Sequence, residues 1–133
     1  MKEKTTAKKP LILVLDDEKE ILEAFSYLMK ELNCDTEFCP TPEQALEVIK
    51  NDPNHYSLIV TDIKMPTMNG VEFAQKARAL NAEIPIVFMT GYPSDEVKRQ
   101  TLRFKKVVYL EKPFHLVATF SELIPKLLAG EGK

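Results

Sequence analysis

No apolar stretch in this sequence approaches the roughly 20 residues needed to cross a bilayer as a helix, which excludes a membrane-spanning helix. Cysteine is scarce. Cys34 and Cys39 are the only two, too few for a disulfide framework, and both are expected to be small buried residues whose thiols stay reduced. Charge of one sign is not in excess. Lys and Arg number 18 against 20 Asp and Glu, for a formal net charge of −2, so the chain as a whole does not read as a binder of nucleic acid or of a membrane surface. Internal repeats, low-complexity segments and an obvious domain boundary are also missing. Residues 1–9 are polar and basic and lack the apolar core of a signal peptide, so they read as a flexible leader. Residues 10–128 read as the domain and 129–133 as a short tail.

The 133 residues, 44% hydrophobic and 29% charged, suffice for one domain with one core. Its pattern alternates. Apolar runs at Leu11–Leu15, Leu58–Thr61, Ile84–Met89 and Val107–Leu110 read as buried strands, and Asp35–Cys39 as a shorter one. Between them, Ile21, Leu22, Phe25, Leu28, Met29 and Leu32 recur at helical spacing and predict an amphipathic helix from about Glu18 to Leu32. Thr41, Pro42 and Gln44 supply an N-cap, a first-turn proline and a capping partner for a helix that buries Ala45, Leu46, Val48 and Ile49. A turn over Pro66–Gly70 precedes a helix to Leu80, and Ser94 caps another expected from Asp95 to Phe104. A final helix follows Lys112 and Pro113, with Pro125 expected to end or kink it near Ile124. Five βα units with continuous apolar strands require helices on both faces of a parallel sheet, a doubly wound α/β domain.

Chemistry collects where the strands end. Asp16 and Asp17 follow the first strand, Asp62 the third, Thr90 the fourth and Lys112 the fifth. The carboxyl ends of parallel strands converge on one crevice. A lone strand-end aspartate is usually a helix N-cap and a lone threonine or lysine means little. Three acids, a hydroxyl and an ammonium at one edge are harder to explain as packing. Adjacent carboxylates repel unless a cation neutralises them, and Mg²⁺ suits an oxygen set that leaves waters for a substrate phosphate. Asp62 is placed as a nucleophile toward phosphorus. Lys112 offers a point charge to phosphate, and the bond to Pro113 is a candidate for the cis isomer. Glu18 and Glu20 read as solvated first-turn acids, favoured by the helix dipole.

The segments Val14–Glu18, Val60–Pro66, Met89–Gly91 and Tyr109–Phe114 resemble the receiver domain of two-component response regulators, over about Lys9 to Leu128. The resemblance implies a flavodoxin-like five-stranded parallel sheet of order 2-1-3-4-5 with five helices. It implies that Asp62 accepts a phosphoryl group from a sensor histidine kinase or phosphotransfer protein. Asp17, Asp62 and the backbone carbonyl of Lys64 would hold Mg²⁺ (or Mn²⁺), with Asp16 acting mostly through water. Thr90 and Lys112 would grip the phosphoryl oxygens, and Thr90 with Tyr109 would form the switch. The readout would be the surface of the fourth helix, fifth strand and fifth helix, facing an unknown downstream partner in the cytoplasm. No direct nucleic-acid or membrane binding is expected of the domain, and homodimerisation stays open.

Some positions depart from the family pattern. Lys105 and Lys106 stand where receivers commonly carry a small pair, so the fourth helix is expected to end irregularly. With Lys98, Arg99 and Arg103 they make a basic cluster, read either as a solvated helix face or as a docking surface for an acidic partner. Lys64 and Tyr92 lie where the family varies and, by resemblance, tune the lifetime of the phosphoryl group. His55 and His115 read as surface residues. Two alternatives to a phosphorylated receiver remain: a receiver-fold binding module not phosphorylated in the cell, and an aspartate-nucleophile phosphatase. The second wants an acid two places after the nucleophile, and only Asp16 with Glu18 offers that spacing.

Overall fold

Alternate residues along each central strand face opposite layers, yet both sets are apolar, which is why the strands read as unbroken hydrophobic runs. The computed structural model describes residues 9–16 and 18–130. The expected leader, apart from Lys9, together with Asp17 and the end of the expected tail, lies outside the described residues. The elements in chain order are β1 (Leu11–Leu15), α1 (Lys19–Glu31), β2 (Asp35–Cys39), α2 (Pro42–Asn51), β3 (Leu58–Asp62), α3 (Gly70–Leu80), β4 (Ile86–Thr90), α4 (Asp95–Leu102), β5 (Val107–Glu111) and α5 (Leu116–Leu128). The strands form one parallel sheet in the order β2-β1-β3-β4-β5, the flavodoxin-like arrangement expected.

Leu13, Leu15, Ile59, Ile86, Phe88 and Val107 pack on one side against Ala45 and Ile49 of α2 and Phe73, Ala74 and Ala77 of α3. Ile12, Val14, Leu58, Val60, Val87 and Met89 pack on the other against Phe25, Leu28 and Met29 of α1 and Phe120, Ile124 and Leu127 of α5. The Phe25 and Phe120 rings meet edge to face, 4.7 Å between centres. Each such fully buried side chain contributes about 1.5–3 kcal/mol of transfer free energy. Helix starts follow local chemistry. Thr41 Oγ1 accepts from Gln44 N (3.2 Å), Asn69 Oδ1 from Glu72 N (2.8 Å), Ser94 Oγ from Val97 N (3.1 Å) and His115 Nδ1 from Ala118 N (3.1 Å). Cys34 and Cys39 are buried and unpaired, and burial pushes both thiols above their ordinary pKa.

Three boundaries differ from expectation. Strand β4 starts at Ile86 rather than Ile84, because Pro85 has no amide hydrogen for the ladder and the Ile84 carbonyl is taken by Arg78 Nε at 2.8 Å. Helix α4 stops at Leu102, and Phe104 N turns back to the Thr101 carbonyl (3.2 Å). The chain then enters β5 with Lys106 in the left-handed region (φ 56°), a conformation that glycine adopts without a Cβ penalty. Arg78 Nη2 bonds the carbonyls of both Lys105 and Lys106, and Lys106 Nζ pairs with Glu83 Oε1 at 2.6 Å, so the connection is fastened from below. Finally, Pro125 does not end α5, which runs on to Leu128. A proline this near a helix end removes one backbone bond, and burial of Ile124 and Leu127 on either side of it offsets that loss. The stop comes at Gly130, whose φ of 83° gives the left-handed terminus.

Candidate functional site

Strand register decides which side chains share the carboxyl edge. Leu15 lies opposite Thr61, so Asp16 and Asp62 leave the sheet side by side. Asp62 lies opposite Met89, and Thr90 opposite Glu111. Ladder bonds continue past the strand ends, with Ile63 N donating to the Met89 carbonyl (2.9 Å) and Lys112 N to the Thr90 carbonyl (2.7 Å). Thr61 Oγ1 donates to the Asp62 carbonyl at 2.9 Å. The backbone carrying Asp62 is therefore held on both sides while its half-buried carboxylate points out.

The loop after Asp62 folds back tightly. Gly70 N donates to the Ile63 carbonyl at 2.6 Å. A Cβ on Gly70 would stand 2.6 Å from the Asp62 carbonyl oxygen and 2.8 Å from Ile63 Cα, so this position requires glycine for the close approach of two backbones. Thr67 Oγ1 donates to Glu43 Oε2 (2.7 Å), tying the loop to α2 and holding the Glu43 carboxyl below its usual pKa.

Charge at the edge is organised around one ammonium. Lys112 Nζ lies 3.0 Å from Asp62 Oδ2, 3.0 Å from Glu18 Oε1 and 3.6 Å from Asp16 Oδ2. Burial works against the Lys112 ammonium, but the bonds to Asp62 and Glu18 outweigh it and push its pKa up to about 12. The Asp16 side chain is fully buried. Its Oδ1 accepts from Glu18 N (2.8 Å), whereas its Oδ2 has no hydrogen-bond partner among the described residues. Burial raises the Asp16 pKa, with the Asp62 and Glu18 charges adding to it and the Glu18 amide and Lys112 opposing. Thr90 is buried and its hydroxyl oxygen accepts from Tyr92 N at 3.0 Å. The Lys64 ammonium rests on the face of the Tyr92 ring, 4.2 Å from its centre.

Together Glu18, Asp62, Lys64, Gly91, Tyr92 and Lys112 line a cleft of about 320 Å³. Asp16, Asp62 and Lys112 thus converge, with Thr90 on the adjoining strand end. Tyr109 stands apart from them, opposite Phe88 on β5. Its ring is half-buried with Lys98 Nζ 5.8 Å from the ring centre, and its hydroxyl is buried near the Ser94 backbone. Burial first, then the charge of Glu111, pushes the Tyr109 pKa up. The Lys112–Pro113 peptide bond is cis. Asp17, assigned to the metal by resemblance, lies outside the described residues.

Sequence reasoning missed the part Glu18 takes here. Far from being only a solvated acid, this half-exposed carboxylate at the N-cap of α1 pairs with Lys112, 94 residues away in sequence. Nothing short of the register could have shown it. Among the described residues no cluster of three or more His, Cys, Asp or Glu side chains is arranged to hold a metal ion. The donor chemistry still fits a hard cation. Asp16 Oδ2 is buried with no hydrogen bond among the described residues, and it shares a single ammonium, 3.6 Å away, with Asp62 and Glu18, so carboxylates outnumber cations at this edge.

An open parallel sheet with a charged cleft at its topological edge defines a class of α/β domains that bind anions or cations beyond their strand ends. Comparison with known proteins narrows it. The model of the response regulator receiver domain matches residues 12–123, and the chain belongs to that family. It is 33% identical over 86 residues to the response regulator receiver protein CpdR of Brucella abortus, covering 65% of this chain and 70% of that protein. It is 27% identical over 106 residues to the response regulator protein TodT of Pseudomonas putida, covering 78% of this chain but 45% of TodT, so it spans under half of that relative. A CheY-like receiver domain structure from Methanospirillum hungatei superposes with a TM-score of 0.82 at 28% identity, covering 94% of this chain and all of that one. No helix among the described residues is long and apolar enough to cross a membrane.

Proposed function

We propose that this receiver domain works by phosphorylation: Asp62 takes a phosphoryl group from a phosphohistidine on a sensor histidine kinase or phosphotransfer protein in the cytoplasm. The observation that carries this reading is Lys112 Nζ held 3.0 Å from the Asp62 carboxylate, with the buried Oδ2 of Asp16 3.6 Å from the same nitrogen. One Asp62 oxygen attacks phosphorus while the P–N bond breaks. The bonding pair leaves with the imidazole nitrogen of a ring protonated on its other nitrogen, so neutral histidine departs and an acyl phosphate remains. Lys112 neutralises first the carboxylate and then the phosphoryl oxygens. Thr90, whose oxygen accepts from Tyr92 N, keeps its own hydroxyl proton to donate to a phosphoryl oxygen. Asp16, Asp17, Asp62 and the Lys64 carbonyl are the oxygens that would hold Mg²⁺ or Mn²⁺, which when bound neutralises charge on the transferring group.

The chemistry is confined to the protein's own aspartate, with no separate substrate turned over. The readout is a population shift at α4, β5 and α5. Tyr109 supports it by position, since its ring lies on β5 with Lys98 of α4 5.8 Å from the ring centre, so a change in that side chain alters the face the two elements share. The test is to add beryllofluoride, a phosphoryl mimic, with Mg²⁺ and follow amide resonances. Wild type should shift around Asp62, Thr90 and Tyr109, and Asp62→Asn should not. An unmoved wild-type spectrum at saturating reagent, or an equal response from Asp62→Asn, would overturn the reading.

A further inference from the structure

Two ammonium groups line the cleft, and among the described residues only that of Lys112 is engaged with a carboxylate. Lys112 is bound to Asp62 and Glu18. Lys64, two residues after Asp62 on an exposed loop, instead lies on the ring of Tyr92, 4.2 Å from its centre. Tyr92 is itself exposed (71%), and its backbone amide is anchored to the Thr90 hydroxyl at 3.0 Å. The ring thus extends over the cleft from the β4 side, and the ammonium reaches it from the β3 side.

A cation on an exposed aromatic face is held weakly, because water competes for it. In the resting cleft the Asp62 carboxylate is already bonded to Lys112. A phosphoryl group on Asp62 changes that balance. It replaces a single negative charge by two, on three outward oxygens, next to a lysine whose stem is long enough to turn toward them.

Resting on the receiver chemistry proposed above, we infer that the Lys64 side chain is a second phosphoryl-neutralising cation, parked on Tyr92 while Asp62 is unmodified and transferred to the phosphoryl oxygens when they arrive. Tyr92 is the parking face and the reporter. Its ring loses the cation when the site is charged, and its amide is tied to the threonine expected to contact the same group. The two loops that flank the cleft are therefore joined across it in the resting state and released from each other in the modified one.

The experiment titrates beryllofluoride with Mg²⁺ into wild type, Lys64→Met and Lys64→Arg, each carrying ring-labelled tyrosine. The sequence has four tyrosines, and the Tyr92 signal is assigned by its loss in Tyr92→Leu. In wild type the Tyr92 ring resonances should move, on adduct formation, to the position they already occupy in free Lys64→Met. That variant should bind the mimic about three- to tenfold more weakly, and Lys64→Arg should restore most of the affinity. Equal ring shifts in wild type and Lys64→Met, or unchanged affinity in Lys64→Met, would overturn the role of Lys64 and leave Asp62 as acceptor. A wild type that does not respond at all, or an Asp62→Asn variant that responds like wild type, would remove both.

Discussion

Replacing Gly70 by alanine should destabilise the protein, although the usual rule for glycine in the first turn of a helix points the other way. Alanine is about 0.5–1 kcal/mol better than glycine within a helix. Here the added methyl would stand 2.6 Å from the Asp62 carbonyl oxygen and 2.8 Å from Ile63 Cα. Carbon atoms prefer contacts of about 3.5 Å or more, so the two backbones would have to part by several tenths of an ångström. Both obstacles are main chain, and no side chain can rotate away. Separation would also lengthen the Gly70 N to Ile63 O bond, now 2.6 Å. Overpacking of this kind costs about 1–3 kcal/mol, and a strained backbone hydrogen bond adds about 1 kcal/mol. The net expectation is a loss of about 1–3.5 kcal/mol, centred near 2 kcal/mol. With a urea m-value of about 2 kcal/mol/M, the unfolding midpoint should fall by about 0.5–1.7 M at unchanged slope. Gly91→Ala is the internal control, because its Cβ would meet nothing closer than Lys112 Cδ at 4.0 Å. A midpoint for Gly70→Ala equal to or above wild type would refute the close approach that fixes the loop behind Asp62.

Two further variants probe the charge arrangement. Lys112→Met leaves Asp16, Glu18 and Asp62 facing one another without their shared cation, and should cost about 1–3 kcal/mol in metal-free buffer, with Mg²⁺ recovering part of the loss in a thermal-melt series. Asp16→Asn should raise the melting temperature of the metal-free protein by a few degrees, since burial makes the Asp16 charge unfavourable and its pKa is raised. The sign follows from linkage. A carboxyl whose folded pKa is raised binds more protons in the native state, so its penalty is relieved as pH falls through that value, and the gap between variant and wild type should narrow on acidification. A gap that widens in acid would contradict it.

Most of the fold was legible because both faces of the sheet are covered. Two-sided burial makes Leu11–Leu15 or Leu58–Thr61 a continuous apolar run, and Thr41 and Ser94 mark their helix starts by side chains that cap them. Boundaries slipped where backbone bonding outvoted composition. Ile84 is apolar and buried, yet Pro85 keeps it off the ladder, and Pro125 sits inside a helix because the turn around it buries Ile124 and Leu127. At the cleft, the edge position of Asp16, Asp62, Thr90 and Lys112 could be read from strand ends alone. The pairing of Glu18 with Lys112 and the contact of Lys64 with Tyr92 could not, because each joins loops whose approach is set by register and by side-chain reach.

The central claim is that Asp62 becomes an acyl phosphate, and chemical trapping tests it most directly. Protein incubated with acetyl phosphate and Mg²⁺ and then reduced with borohydride should yield homoserine at position 62, located by peptide mass spectrometry, with intact mass before reduction showing one added phosphoryl group. Wild type that gains no phosphoryl group, or one that carries its reduced residue elsewhere and still gains it as Asp62→Asn, would contradict the account.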